Sequence, residues 1–382
     1  MKKGIIIGAG IGGLTTALAL IKKGIDVTIY EQSKEIKEVG AGIWVAPNGL
    51  KVFDDLGISQ DILDAGKTLE KIKVVDINGK LISAIDGNKI KQKHKFSTVA
   101  IHRATLQKIL ASYIPKNKVV LDKKFSSYQQ TDNSISAKFE DGTIEEADFL
   151  INADGIKSNA RLQIQSALNL RYSGQTCWRF VSEFDLPEVE SRNMYEIWSN
   201  KKGLRVGYSK INDKQIYVFI TNYEKAGGKD NPLTVINDLI NLCDEFPPIV
   251  KQMILSTKAN DILRNDLFDF KPITKWTDGK IALIGDAAHA TTPNLGQGAC
   301  QAIEDAYVIA QQLSTNQDVE IAFKMFEKKR IKKATYITNT SWQYAQLTNT
   351  TGLIKSVLKG ILRMIPKSIN DKQLDKIYSL DY

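Results

Sequence analysis

The feature that most constrains this fold lies at the N-terminus, where a glycine-rich turn joins an apolar strand pattern to a helix pattern. Ile5–Ile7 is a short, entirely apolar run, which is typical of a strand covered on both faces of its sheet. Helix periodicity extends over Leu14–Lys23 and stops before Gly24, and Val27–Tyr30 has the pattern of a second strand. Strand, turn, helix and strand in this order predict a βαβ unit and therefore a parallel sheet.

The turn has the spacing G-x-G-x-x-G, with glycines at Gly8, Gly10 and Gly13. The first glycine permits the tight turn, the second lets the backbone approach a pyrophosphate, and the third lets the helix pack on the strand. The following helix presents unpaired N–H groups and a partial positive charge to phosphates. Glu31 ends the second strand, where an acid would hold ribose hydroxyls. We predict a dinucleotide site, with an ordinary βαβ turn as the alternative; the turn alone does not separate FAD from NAD.

Length and composition narrow the class of protein. A chain of 382 residues suggests two or three domains, and 43% hydrophobic with 25% charged residues is close to the globular average. No apolar run reaches the length of a membrane span, and the N-terminal apolar stretch is too short for a signal peptide. The three cysteines are widely spaced and odd in number, so they predict neither a disulfide framework nor a zinc site. A reducing cytoplasm is the expected compartment.

The net charge of +9 admits nucleic acid, an anionic membrane surface or an anionic substrate as a partner. No RNA-reading motif accompanies the charge, so nucleic acid is disfavoured. The basic run 328–333 is predicted to be a solvated helix face. The basic, amphipathic stretch 353–365 is expected to pack on its own domain or on a partner subunit, and the alternative is that it lies on an anionic membrane.

The strand patterns outside the βαβ unit suggest a second domain. Residues 70–97 alternate and are rich in lysine, as in exposed antiparallel strands, and several further strand patterns lie between residues 172 and 270. The chain beyond Gly298 has mostly helical patterns. The predicted fold class is α/β, in a two-domain α+β arrangement. The predicted boundaries are 1–70, 98–171 and 271–335 for a discontinuous Rossmann-like domain, 71–97 and 172–270 for a mainly antiparallel substrate domain, and 336–382 for C-terminal helices.

Two further motifs each follow a strand pattern. Residues 154–161 read D-G-x-x-S-x-x-R, and residues 285–289 read G-D-A-A-H, followed by Pro293 and a second glycine turn. With the N-terminal turn, in this order and at these distances, the chain resembles the single-component (class A) FAD-dependent aromatic hydroxylases over most of residues 1–335. The urate hydroxylases, the salicylate-type hydroxylases and the epoxidases of carotenoids look most similar, although Trp178-Arg179 departs from the urate enzymes.

The resemblance implies FAD as the bound cofactor. It implies that the Asp286 carboxylate accepts hydrogen bonds from the ribityl chain, with a helix N-cap as the alternative. It further implies that backbone N–H groups of Gly296-Gln297-Gly298 bind the flavin edge, and that Arg103 binds a phosphate or ribose, with a solvated helix residue as the alternative. Asp154 is tied to flavin binding and nicotinamide use, or is an ordinary turn residue. The implied FAD-binding set is Gly8, Gly10, Gly13, Glu31, Gly42, Arg103, Asp154, Asp286, Gly296, Gly298 and Ala299.

The chemistry that the resemblance implies uses NAD(P)H as a transient co-substrate, because the chain has only one dinucleotide motif. In that family NAD(P)H reduces FAD, O2 adds at flavin C4a, and the hydroperoxide delivers one oxygen atom to an electron-rich ring. The three histidines are too scattered to predict a metal site, and His289 is expected to be structural. The partners are thus a small-molecule substrate, NAD(P)H and O2, for a monomer or homodimer.

The substrate is expected between the flavin and the antiparallel sheet. Arg179 and Arg205 are candidates to clamp an anionic substrate, or are surface arginines on alternating strands. Tyr217 is a candidate hydrogen-bond donor, or a core tyrosine. Pro293 is implied to lie beside the isoalloxazine, so Arg205, Tyr217 and Pro293 form the predicted catalytic set. The functional alternatives are a flavin oxidase or dehydrogenase, an epoxidase acting on a more lipophilic substrate, and a flavin-binding scaffold without activity.

Overall fold

The predicted βαβ unit lies at the centre of a six-stranded, mainly parallel sheet. The computed structural model of the protein describes residues 2–36, 41–165, 168–187 and 191–380. Strand β1 pairs in parallel with its neighbours on both sides, and its isoleucines are buried on both faces. In spatial order the strands are β18 (Thr277–Asp278), β19 (Ile281–Leu283), β12 (Phe149–Asn152), β1 (Lys3–Ile7), β2 (Asp26–Tyr30) and β8 (Val119–Val120).

Helix α1 (Ile11–Lys22) begins directly after Gly10, three residues before the predicted start. Gly13 therefore lies inside the first turn of the helix, where an added Cβ would lie 1.9 Å from the Gly8 carbonyl oxygen. The helix packs against α10 (Gly298–Thr315), and an added Cβ on Gly12 would lie 3.0 Å from the Ala302 side chain. Small residues thus bring α1, the glycine turn and α10 together.

A seven-stranded sheet forms the second layer of the molecule. Its strands pair antiparallel except for β14 with β5, which are parallel. Residues 71–86 supply two strands of this sheet although they are distant in sequence from the rest. In spatial order the strands are β17 (Leu263–Asp269), β13 (Arg171–Ser182), β16 (Ile216–Tyr223), β15 (Arg205–Lys210), β14 (Asn193–Trp198), β5 (Lys71–Asp76) and β6 (Leu81–Asp86).

Two small sheets of three strands complete the β-structure of the described residues. One extends the nucleotide domain, and the other brings the segment after Ala41 against the strand that precedes Arg103. Their strands are β11 (Ile144–Ala147), β10 (Ile135–Phe139) and β9 (Phe125–Gln130) in the first, and β3 (Gly42–Val45), β7 (Val99–His102) and β4 (Lys67–Thr68) in the second.

The remaining helices cover these sheets and form the C-terminal region. None of the helices in the described ranges is both long and apolar enough to cross a membrane. They are α2 (Pro47–Asp55), α3 (Ser59–Ala65), α4 (Gly87–His94), α5 (Arg103–Ser112), α6 (Asn159–Ile164), α7 (Val235–Leu242), α8 (Pro248–Leu255), α9 (Asp286–His289), α11 (Val319–Thr348), α12 (Gly352–Met364) and α13 (Lys367–Tyr378).

Two local predictions differ from the structure. Residues 87–94, predicted within an exposed strand region, form α4, because the Asp86 carboxylate accepts hydrogen bonds from the Asn88 and Lys89 amides and caps a helix. Helix α11 crosses the predicted boundary at residue 335 without a break. It contains neither glycine nor proline and is capped at its start by Asp318.

Candidate active site

The N-terminal glycine turn leaves an open face toward a cleft. Gly8 has φ +98°, and an added Cβ would lie 2.6 Å from the Ala153 carbonyl oxygen, so only glycine fits this turn without strain. An added Cβ on Gly10 would meet no atom within 4 Å. The N-cap of α1 is Gly10, which provides no side-chain cap for the first N–H groups of the helix. The turn therefore offers backbone N–H groups to a phosphate.

Glu31 lies beside this turn and is held by it. Its carboxylate accepts hydrogen bonds from the Ala9 amide at 2.7 Å and the Ser33 amide at 2.9 Å. The Gln107 side-chain amide donates to the Ala9 carbonyl oxygen at 2.8 Å. These bonds fix the position of the acid at the end of β2 and keep the turn rigid. A role in holding a ribose stays a prediction.

A cleft of about 350 Å³, which we call the cofactor cleft, runs from this turn toward the antiparallel sheet. Its walls come from elements that are far apart in sequence, and they include seven residues of the predicted FAD-binding set. These seven are Gly10, Gly42, Arg103, Asp286, Gly296, Gly298 and Ala299. Gly8, Gly13, Glu31 and Asp154 lie outside the lining. The first three shape or border the turn.

Asp286 provides the carboxylate of the cofactor cleft. It follows Gly285, whose φ of +56° turns the chain at the carboxyl end of β19, and its side chain is open to the cleft. Desolvation by the surrounding cleft walls raises the pKa of this carboxyl, whereas the charges of His289, Arg103 and Arg161 oppose that shift. The carboxylate therefore faces a mainly basic surrounding, and it is placed to accept hydrogen bonds from a polar ligand.

Asp154 uses its carboxylate within its own turn. It accepts hydrogen bonds from the Asn152 side chain at 2.5 Å and from the Asn159 amide at 3.0 Å. Burial raises its pKa, and the hydrogen bonds from Ser158 and Asn152 oppose that shift. The adjacent Gly155 lines the cleft instead. The turn role that the sequence left open is thus present in the structure, and the link to the nicotinamide cofactor stays a prediction.

A buried ion network supports the Asp286 loop from behind. The Asp305 carboxylate accepts hydrogen bonds from the Gly285 amide at 2.9 Å and from Arg330 Nε at 2.7 Å, and His289 Nε2 lies 2.5 Å from it. Arg330 Nη1 also donates to Glu304 at 2.7 Å, and all these side chains are at most 5% exposed. Although burial tends to raise the pKa of Asp305, His289 and Arg330 lower it to about 2.

The network corrects one prediction and agrees with another. The basic run 328–333 is not a solvated face at Arg330, because that side chain is fully buried against Glu304 and Asp305. Lys333 also points inward and donates to Glu304 at 2.8 Å. Six consecutive residues of a helix point to all sides of its axis, so only some of these basic side chains can face solvent. His289 has the structural position that the sequence suggested.

A second cavity, of about 270 Å³, lies between the antiparallel sheet and the C-terminal helices, and we call it the substrate cavity. Its lining is mostly apolar, and α13 contributes Leu374, Ile377 and Tyr378 to it. Five residues line both this cavity and the cofactor cleft, so the two spaces meet there. The five are Trp44, Arg179, Tyr217, Pro293 and Gly296.

Tyr217 and Arg179 form part of this shared wall. Tyr217 is 7% exposed, burial raises the pKa of its hydroxyl, and its ring packs edge-on against Trp44 with centroids 5.5 Å apart. Arg179 Nη2 donates to Asn265 Oδ1 at 2.6 Å, while its buried Nε has no protein acceptor. The wall therefore combines a neutral hydroxyl, an indole ring and a cation.

Arg205 lies deeper in the substrate cavity and is tied to protein acceptors. It is 2% exposed, and its guanidinium donates to Glu196 at 2.9 Å, Asn294 at 2.7 Å and Thr221 at 3.2 Å. Glu196, which is 6% exposed, balances the charge. The pair thus forms a neutral polar patch on the cavity wall, and the predicted role of Arg205 as an anion clamp stays a prediction.

Sequence reasoning missed several wall residues. Tyr344 and the three α13 residues reach the cavity from helices after the last motif. Trp44 had one local signal, since it lies two residues after Gly42, which belongs to the predicted FAD-binding set. Within the described ranges no group of histidine, cysteine and acidic residues is arranged to hold a metal ion.

The chain has a Rossmann-type sheet, a glycine turn open to a cleft, and an apolar cavity that meets this cleft. This fold and site define it as a dinucleotide-binding protein with an adjoining substrate cavity. The family model described as "FAD binding domain" matches residues 2–319. The chain belongs to this family, and its relatives are FAD-dependent monooxygenases. The predicted fold class and the predicted flavoprotein monooxygenase class are therefore confirmed.

The relatives carry several activities. The aurachin C monooxygenase/isomerase of Stigmatella aurantiaca is 33% identical over 350 residues, which cover 91% of this chain and 90% of that protein. The FAD-dependent urate hydroxylase of Klebsiella pneumoniae is 31% identical, with 86% and 85% covered. The crystal structure of Klebsiella pneumoniae HpxO with FAD and uric acid superposes with a TM-score of 0.91 at 28% identity, over 98% of this chain and 96% of that one.

Proposed function

We propose that the protein is an FAD-dependent monooxygenase that uses NAD(P)H and O2 to hydroxylate an aromatic or heteroaromatic small molecule. The observation that carries this proposal is the shared wall of Trp44, Arg179, Tyr217, Pro293 and Gly296, where the cofactor cleft opens onto the substrate cavity. A flavin seated in the cleft and a ring seated in the cavity would be in contact there. Bound FAD supplies the redox chemistry that activates oxygen.

The residues of the cleft fit FAD. Backbone N–H groups at the start of α1 would bind the pyrophosphate, and the bare backbone at Gly10 leaves room for it. Asp286 would accept hydrogen bonds from the ribityl hydroxyls, and Arg103 would neutralise phosphate charge. Gly296, with φ +61°, and Gly298 place backbone rather than side chains at the junction. NAD(P)H would act from solution as a transient reductant.

The substrate cavity favours a flat ring with one polar edge. Trp44 and Tyr217 offer faces and edges for ring contact, and the mostly apolar wall favours burial of a ring next to the junction. The Tyr217 hydroxyl is neutral near pH 7, and burial raises its pKa further, so it would donate a hydrogen bond to the substrate. Because Glu196 balances Arg205, Arg179 is the cation that remains to meet a partial negative charge. Urate and aurachin C, named for two relatives, are therefore ring types to test first.

The alternative function is epoxidation of a more lipophilic substrate. The mostly apolar lining of the substrate cavity favours it, and zeaxanthin epoxidase of Nicotiana plumbaginifolia is 30% identical over 81% of this chain. This chain covers 48% of that protein. A neutral tyrosine hydroxyl and a hydrophobic wall serve either kind of substrate, so the products decide between hydroxylation and epoxidation.

The test is a panel of heteroaromatic, phenolic and carotenoid compounds scored by the rate of NADH or NADPH oxidation by the FAD-loaded enzyme. We expect a subset of rings to accelerate oxidation, with O2 consumed and a product heavier by one oxygen atom. Tyr217→Phe should retain FAD and lower the accelerated rate by about tenfold to a hundredfold, as for loss of one buried hydrogen bond to a reacting ligand. Acceleration that yields only hydrogen peroxide across the panel would identify an oxidase instead.

A further inference from the structure

Helix α12 sits on the protein with its apolar face turned outward. Five large apolar side chains lie on that face and are between 51% and 86% exposed: Leu353, Ile354, Val357, Ile361 and Met364. On the opposite face Lys355 and Lys359 are 1% and 5% exposed. A helix that packs on its own domain normally turns these two faces the other way.

Specific hydrogen bonds fix this orientation. Lys355 Nζ donates to the Lys201 carbonyl oxygen at 2.7 Å, and Lys359 Nζ donates to Asn200 Oδ1 at 3.0 Å. Arg363 donates to the Asp76 carboxylate at 2.8 Å and to the Leu81 carbonyl oxygen at 3.0 Å. Turning the apolar face inward would leave these cations without their partners, so the outward apolar face is built into the fold.

The outward face, which we call the α12 apolar face, is bordered by cations. Exposed Lys202 lies next to the start of the helix, where Lys355 reaches the Lys201 carbonyl, and exposed Lys80 precedes Leu81 beside Arg363. The ammonium of Lys201 itself is paired with Asp244 at 2.9 Å. Leu81, 50% exposed, extends the apolar surface at that end. An apolar strip with lysines at its edges matches the acyl region and the headgroups of an anionic bilayer.

The small size of the α12 apolar face favours a bilayer over a protein partner. A stable protein interface takes about 20–30 residues from each side, whereas this face has five large apolar residues on one helix of 13 residues. A bilayer needs no matching shape and accepts such a narrow ridge. Helix α13 follows directly and lines the substrate cavity with Leu374, Ile377 and Tyr378, so a lipid surface at α12 would lie next to the cavity.

We propose that the α12 apolar face docks the protein on the surface of an anionic lipid bilayer, lying on it and not crossing it. This interaction does not depend on the reaction proposed above. It places the cavity wall formed by α13 near the lipid, from which a lipophilic substrate would reach the enzyme without passing through water.

The test is co-sedimentation of the FAD-loaded protein with vesicles of phosphatidylcholine containing phosphatidylglycerol, and with vesicles of phosphatidylcholine alone. We expect the protein to sediment with the anionic vesicles and more weakly with the neutral ones. Replacing Ile354 and Val357 together by glutamate should lower the partition coefficient by at least about tenfold per side chain. Leu233→Glu, at a residue 90% exposed elsewhere on the surface, is the matched control and should bind as the unchanged protein does.

A second double variant tests the contribution of the lysines at the border. Lys80→Glu combined with Lys202→Glu should weaken sedimentation with anionic vesicles and leave the weak binding to neutral vesicles unchanged. Equal flavin absorbance in all variants shows that the fold is intact. Recovery of the unchanged protein in the supernatant with both vesicles would overturn the proposal. So would a dimer in light scattering that the double glutamate variant converts to monomers, because a second copy would then cover the face.

Discussion

At the scale of single residues, the pair of Arg205 and Glu196 decides whether the deeper wall of the substrate cavity carries a net charge. Both side chains are almost fully buried, and removing one partner leaves the other charge without compensation. We expect Arg205→Met to lower the free energy of unfolding by about 3–5 kcal/mol, and the double variant with Glu196→Gln to recover most of that loss. Urea unfolding followed by circular dichroism measures both. Unchanged stability of Arg205→Met together with a raised KM would instead make Arg205 a substrate ligand.

Asp286 is the residue whose replacement should reveal the cofactor. Its carboxylate is the acidic group that opens into the cofactor cleft, and Arg103 and Arg161 face it. We expect Asp286→Ala to purify with at least about tenfold less flavin per protein, as for loss of one or two charge-assisted hydrogen bonds. The ratio of visible flavin absorbance to protein absorbance measures this. Asp261→Ala, at an exposed acid, is the control, and fully yellow Asp286→Ala protein would refute the role.

The site residues that could be predicted from sequence are those that act within the turn in which they lie. Gly8, Gly10 and Asp286 each work through the turn in which they stand, so the motif carries the information. Arg205 was found as a candidate, but its pairing with Glu196 was not, because Glu196 lies on the neighbouring strand β14, in a sheet whose register only folding reveals. The sequence pattern therefore could not predict that Arg205 is buried as part of an ion pair.

At the scale of elements, helix α11 holds the Asp286 loop through Arg330. The guanidinium neutralises Glu304 and Asp305 on α10, and Asp305 holds the Gly285 amide. We expect Arg330→Met to lower the free energy of unfolding by about 3–5 kcal/mol and to weaken retention of FAD. Lys328→Met, at an exposed position of the same helix, should change neither quantity. Thermal unfolding and flavin content measure the two effects. If Arg330→Met behaved like Lys328→Met in both measurements, the proposed role of the network would be contradicted.

The buried lysines of helix α12 should make the free energy of unfolding depend on pH. Burial, with Lys359 and Arg205 nearby, lowers the pKa of Lys355 from 10.5 to about 8. Between these two values the unfolded chain binds more protons at this group than the folded one, so stability increases with pH in that window. We expect the unfolding free energy of the unchanged protein to rise, relative to Lys355→Met, by on the order of 2 kcal/mol from pH 8 to 10.5. If the free energy of unfolding changed with pH by the same amount in both proteins, the pKa of Lys355 would not be lowered by folding.

A helix or strand could be predicted from the sequence where its apolar and polar residues recur with the period of that element. The amphipathic pattern of residues 353–365 identified the helix, but it did not show that the basic face turns inward. That orientation depends on a carbonyl, an amide and a carboxylate acceptor, from Lys201, Asn200 and Asp76 respectively. Likewise the lysine-rich stretch 87–94 looked like a continuation of two strands. One capping aspartate, Asp86, was sufficient to make it helical.

At the scale of the whole molecule, the cofactor cleft joins parts of the chain that otherwise form separate layers. Its walls come from the parallel-sheet side at Asp286, from the small sheet at Gly42, and from the antiparallel sheet at Arg179 and Tyr217. The order of three motifs was enough to predict the fold class, because each motif marks the end of one parallel strand. The closing wall from Tyr344 and α13 follows no motif, so only the folded chain places it on the cavity.

A ligand that contacts all these layers should stabilise the molecule as a unit. Because FAD would bind the folded and not the unfolded chain, a concentration one hundred times its Kd should add about 2.7 kcal/mol to the free energy of unfolding. We expect FAD added to the flavin-depleted protein to raise Tm by a few degrees and to slow proteolysis in both sheets together. Asp286→Ala should need much more FAD for the same rise. Protection confined to the parallel sheet would mean that the antiparallel sheet does not contribute to the flavin site.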